Sequence, residues 1–228
     1  MKRALFALSL FGLGASMLGA AAFGAAAKPP DQPVGAEVAF VQQVQKDLTS
    51  RFATPADAQK AGYFRYTNED ETGAISYANL QWDSADPQHP SQLWYDVNGR
   101  LLGADYSVPF TASNKTTPPS LWGVNPQRWF TFKRPHVHYI LRAADSTMKY
   151  GLAVSGAAFT AAGGDLNNPQ PATIVKMGKA SNASQIAKVF TFPAMWDLEL
   201  WVLPNPSGAF AEKNPNVHPS KNAASGDM

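Results

Sequence analysis

Asn98-Gly99 narrows the fold of this chain more than any other dipeptide in it, because it sits between two runs rich in Tyr, Trp, Leu and Val. Asparagine and glycine tolerate the positive φ of tight hairpin turns, so residues 92–106 are predicted to form an antiparallel pair of strands. Residues 76–82 have the same composition and add a strand upstream. Residues 107–126 contain Pro109, Pro118, Pro119 and Pro126, and proline cannot donate to a sheet ladder, so this stretch is predicted to be a long surface connection. Strand character returns at residues 129–141, and residues 149–159 are small and apolar. A Gly, Asn and Pro loop at 162–171, a helical turn at 184–189 and final strands at 190–203 complete the reading.

Helices precede the strands. Val34, Val38, Val41, Val44, Leu48 and Phe52 recur at three- and four-residue spacing and predict one apolar helical stripe. Thr54-Pro55-Ala56-Asp57 then places a capping hydroxyl before a proline at the first helical position, and Gly62 can close the short helix that follows. This order predicts an α+β domain with N-terminal helices packed on a mostly antiparallel β-sheet. With 11% aromatic residues and many short strands, that sheet can curve, and a barrel-like form with an enclosed pocket is the alternative.

Lys2 and Arg3, an uncharged run over residues 4–27 and the small residues Ala25, Ala26 and Ala27 together have the pattern of a secretory signal peptide. Residues 1–27 are therefore read as a leader, 28–218 as one domain and 219–228 as a flexible tail. Cleavage removes two of 19 basic residues and none of the 17 acidic ones, leaving 201 residues with a formal charge of zero. Neutrality with no long Lys/Arg cluster argues against nucleic acid as a partner. The absence of cysteine excludes thiol chemistry and a lipid anchor at the cut, and no stable membrane anchor is expected after cleavage.

In Pro135-His136-Val137-His138-Tyr139, strand alternation puts both histidines on one face. Two imidazoles at that spacing can hold one divalent transition metal if a carboxylate completes the set. Asp197 and Glu199 supply candidates, since both interrupt an otherwise apolar strand on the face opposite Trp196, Leu198 and Leu200. Tyr139, Trp129 and Trp201 are candidate pocket walls. Asp96 and Asp105 beside the hairpin form a second possible carboxylate pair, and no catalytic residue is assigned. The nucleophile elbow of serine hydrolases is missing around Ser155, and neither HExxH nor a phosphate-binding loop occurs.

Trp196-Asp197-Leu198-Glu199-Leu200-Trp201, then Asn205-Pro206-Ser207-Gly208-Ala209-Phe210-Ala211 and Asn214-Pro215-Asn216-Val217, carry a resemblance. With Ser76-Tyr77-Ala78-Asn79 and the hairpin ending in Val108-Pro109, they resemble a family of uncharacterised secreted bacterial proteins that end in a WDLxxW strand and an NPxGxFAxxNPxV motif. The resemblance implies secretion and a single domain. Where that family places histidines, this chain has Ser76, Met195 and Glu199, which leaves His136 and His138 to supply any imidazole ligands. The expected function is that of a periplasmic or secreted domain binding a small molecule or divalent metal in a sheet pocket. A metal-dependent enzyme using His136 and His138 with Glu199 or Asp197 is one alternative, and a cell-envelope interaction module is the other.

Overall fold

The structure is a computed structural model that describes residues 29–83 and 85–224, so the leader assigned to residues 1–27 lies outside the described residues. Helix α1 (Ala36–Arg51) buries Phe40, Val41, Val44 and Leu48. Phe52 follows them inward, but Val34 and Val38 stay 47% and 39% exposed, against the predicted stripe. The inward position at this end is taken by Glu37, which meets Arg128 in a two-pronged pair, Nε to Oε1 at 3.0 Å and Nη2 to Oε2 at 2.8 Å. The amides of Val34 and Asn125 donate to the same carboxylate. Burial alone would raise the Glu37 carboxyl, but the Arg128 and backbone hydrogen bonds hold it below the usual range. Helix α2 (Pro55–Lys60) forms as its sequence dictates, with Thr54 and Asp57 making a reciprocal capping box.

The strands follow in two sheets. The larger contains β1 (Phe64–Arg65), β2 (Ile75–Ala78), β3 (Gln92–Tyr95), β4 (Leu101–Pro109), β5 (Phe130–Phe132) and, far along the chain, β9 (Met195–Trp201). The smaller contains β6 (His136–Arg142), β7 (Met148–Ser155) and β8 (Ile186–Phe192), accompanied by α3 (Gly156–Ala161) and α4 (Pro171–Lys176). Their orders are β1-β2-β3-β4-β9-β5 and β7-β6-β8, and every neighbouring pair is antiparallel. Neither sheet closes into a barrel, so the barrel-like alternative is set aside.

The hairpin turns where Asn98-Gly99 places it. Asp96 and Arg100 still pair through their backbones, so the loop is Val97, Asn98 and Gly99, with Gly99 at φ 79°. A three-residue loop ending in a left-handed glycine preserves the right-handed strand twist. Two expectations about extent change. Residues 107–109 belong to β4 and not to the surface connection, because Ser107, Val108 and Pro109 pair with Asp197, Trp196 and Met195. The expected tail is tied down as far as Ala224, since Ser220 N donates to Glu69 at 2.7 Å and Ala224 N donates to the Glu69 carbonyl at 2.8 Å.

Strand alternation gives the large sheet two different faces. On one, Leu93, Tyr95, Ala104, Tyr106, Leu198 and Leu200 form the main core with the buried stripe of α1. The other face carries Gln92, Trp94, Gly103, Asp105, Ser107, Asp197, Glu199 and Trp201, the alternate members of the same strands. Phe190 and Phe192 of β8 meet Tyr66, Ala78 and Met195 beside this polar face, where the small sheet comes against the large one.

Candidate functional site

The polar face of the large sheet is the floor of a cleft of about 1070 Å³. Register builds it. Asp105 on β4 lies directly across from Glu199 on β9, and Asp197 lies across from Ser107 one step along the same face. Ligand oxygens of Asp105, Asp197 and Glu199 all fall within 4.8 Å of one another. Asp105 and Asp197 are 5% and 2% exposed, whereas Glu199 opens into the cleft.

Among the described residues this trio has hydrogen-bond donors but no ion-paired cation, and Lys133 and Arg134 line the same cleft. Trp94 Nε1 donates to Asp105 Oδ2 at 3.2 Å, and the Ser107 hydroxyl donates to Asp197 Oδ1 at 2.9 Å. Ser91 stands behind Ser107, its Oγ accepting from the Ser107 amide at 2.8 Å. Asp105 Oδ1 is buried with no hydrogen-bond partner among the described residues. Trp94 can lie flat here because Gly103 opposite it has no side chain; a β-carbon there would come within 2.2 Å of the indole. Trp94 meets Trp201 edge-on at 5.7 Å, making an aromatic wall beside the acids.

Three carboxyls this close cannot all be ionised without a counter-charge. Burial, then the charges of Asp197 and Glu199, push Asp105 well above the ordinary carboxylate range. Burial and Glu199 do the same to Asp197. Glu199 is pushed up to about 7 by desolvation against the cleft walls and by the nearby Asp70 and Glu212. The arrangement can hold protons, or it can exchange them for a cation with a preference for oxygen ligands.

The structure divides the residues expected to form one metal centre. Asp197 and Glu199 converge, but with Asp105, and among the described residues no histidine belongs to that group. His136 lines the same cleft, while His138 is buried beside it. Of the expected pocket walls, Trp201 lines the cleft; Tyr139 faces the core under α3 and α4, and Trp129 lies in the main core. The possible Asp96 and Asp105 pair does not form, because the Asp96 carboxylate folds into the hairpin turn and accepts from the amides of Asn98 and Arg100 and from Arg100 Nε. Ser155 also lines the cleft and caps α3 through its hydroxyl.

Sequence reasoning missed Ser91, Ser107, Gln92 and Tyr66, whose hydroxyl donates to Gln92 Oε1. One signal could have found part of this set: Asp105 and Ser107 are spaced by two in an apolar strand, as Asp197 and Glu199 are in another. Two strands that each carry a polar pair at period two are candidates to be neighbours across one polar face. No known protein family, no curated protein and no solved structure matches this chain, so its own residues carry the functional reading.

Proposed function

We propose that this protein is an exported domain whose cleft binds a hard divalent cation, Ca²⁺, Mg²⁺ or Mn²⁺, and through it a small oxygen-bearing ligand. The observation that carries this reading is the convergence of Asp105, Asp197 and Glu199 within 4.8 Å, with Asp105 Oδ1 buried and unpartnered. A divalent ion satisfies that oxygen and neutralises the mutual repulsion of the three acids. Oxygen-only donors favour these hard cations over the nitrogen-preferring copper or zinc suggested by the HxH spacing. Three carboxylates leave part of a six- to eight-fold coordination shell open, and the Trp94 and Trp201 wall flanks that opening. Export is supported by the leader pattern of residues 1–27.

Calorimetric titration of purified, metal-stripped protein with each of the three ions tests the proposal. One equivalent is expected to bind, more tightly at pH 8 than at pH 5 because the ion displaces protons. Asp197→Asn is expected to weaken binding at least tenfold. Absence of heat together with an unchanged melting temperature for all three ions at both pH values would exclude the cation site.

A further inference from the structure

Among the described residues outside the carboxylate trio, His138 is the polar side chain least explained by the fold. It lies mid-strand in β6, 1% exposed, and neither ring nitrogen completes a hydrogen bond. Aromatic rings enclose it. Phe190 stacks on it at 5.4 Å with planes 15° apart, and Tyr66 and Phe192 meet it edge-on at 4.9 and 5.4 Å. Burial in this box, with His136 beside it, pushes the imidazole down to about 3 and keeps it neutral. A phenylalanine would fill the same space without two orphaned polar atoms, and such atoms in a native core call for an explanation.

His136 supplies one. It projects from the same strand face, its ring centre 4.9 Å from that of His138, and it lines the cleft. Each ring has a backbone carbonyl near one nitrogen. His136 Nδ1 lies 3.4 Å from Arg134 O, and Leu152 O acts on the His138 ring without reaching hydrogen-bond geometry. A carbonyl behind one nitrogen is the usual way a ligating histidine is oriented, with the second nitrogen left for the metal. Two imidazoles sharing one ion, with metal–nitrogen bonds of about 2.0 Å at a near-tetrahedral angle, hold their ring centres roughly 5 Å apart. That is the separation seen between His136 and His138.

We propose that His136 and His138 form a nitrogen-donor site for a copper or zinc ion at the inner edge of the cleft, distinct from the carboxylate trio. Imidazole suits both ions, and the remaining coordination positions face the cleft through His136. The site is independent of the cation reading above. Either can fail without the other.

The test uses metal-stripped protein titrated with Cu²⁺ and with Zn²⁺, with Cu²⁺ ligation read by electron paramagnetic resonance and Zn²⁺ ligation by X-ray absorption. Expected is one equivalent with a two-imidazole signature, at least tenfold weaker in His136→Gln and in His138→Phe and unchanged in Asp197→Asn. His138→Phe is expected to raise the melting temperature while losing the metal, because it fills the aromatic box and removes the orphaned nitrogens. If that variant misfolds, His136→Gln, which alters a ring at the cleft edge, still decides. Metal bound equally well by both histidine variants would place it on other imidazoles such as His89 or His218; that result, metal bound without an imidazole signature, or no binding of either ion, overturns the proposal.

Discussion

At the scale of single residues, the cleft sets two groups of titrations against each other. Asp105 and Asp197 are raised well above the carboxylate range and Glu199 to about 7, so in the absence of a cation the folded chain keeps protons that the unfolded chain releases near pH 4. Stability therefore falls as pH rises from about 4 toward 7. His138, pushed down to about 3, acts in the opposite sense. The unfolded histidine takes up a proton near pH 6.5 that the folded one refuses, and stability is lost as pH falls through that window. Glu37, held low by Arg128, likewise loses its contribution on acidification. Asp197→Asn removes one member of the first group, with Asp83, Asp105 and Glu199 as its charged neighbours. Its melting temperature relative to wild type is expected to climb between pH 5 and pH 8, and saturating Mn²⁺ is expected to cancel the gain by stabilising wild type alone. A gap independent of pH would contradict the account of the trio.

At the scale of elements, local sequence and local structure agree where the physics is short-range. The Thr54 cap, the proline at the start of α2 and the Asn98-Gly99 turn were all legible because each acts within a few residues. The first turn of α1 was not legible, since its inward residue is fixed by Arg128, 91 positions away. Arg128→Met is expected to strand the Glu37 carboxylate in the core and cost about 3–5 kcal/mol in urea unfolding, with Glu37→Gln in the same chain recovering much of the loss. Gly103 makes a second long-range contact. Gly103→Ala drives a methyl into Trp94 and toward the Leu200 carbonyl, 2.7 Å from the added carbon. The expected cost is roughly 1–3 kcal/mol, with a change in tryptophan fluorescence as the indole leaves Asp105. Unaltered fluorescence and stability would mean that Trp94 does not depend on the gap at Gly103.

At the scale of the whole molecule, the decisive event is the insertion of β9 between β4 and β5. It brings Asp197 and Glu199 beside Asp105, about ninety residues earlier in the chain, and no local pattern encodes that pairing. The sequence therefore exposed Asp197 and Glu199 as misfits in an apolar strand, and it set Asp105 beside Asp96 instead of with them. It also joined them to His136 and His138, which share the cleft region but occupy the smaller sheet. The meeting of the two sheets makes the cleft, with carboxylates on its floor and the histidine pair at its inner edge. An anomalous difference map from crystals soaked in Mn²⁺ tests the central claim most directly. A peak bonded to oxygens of Asp105, Asp197 and Glu199 is expected. A saturating soak that leaves those three side chains bonded only to each other and to protein donors, with no peak between them, would contradict it.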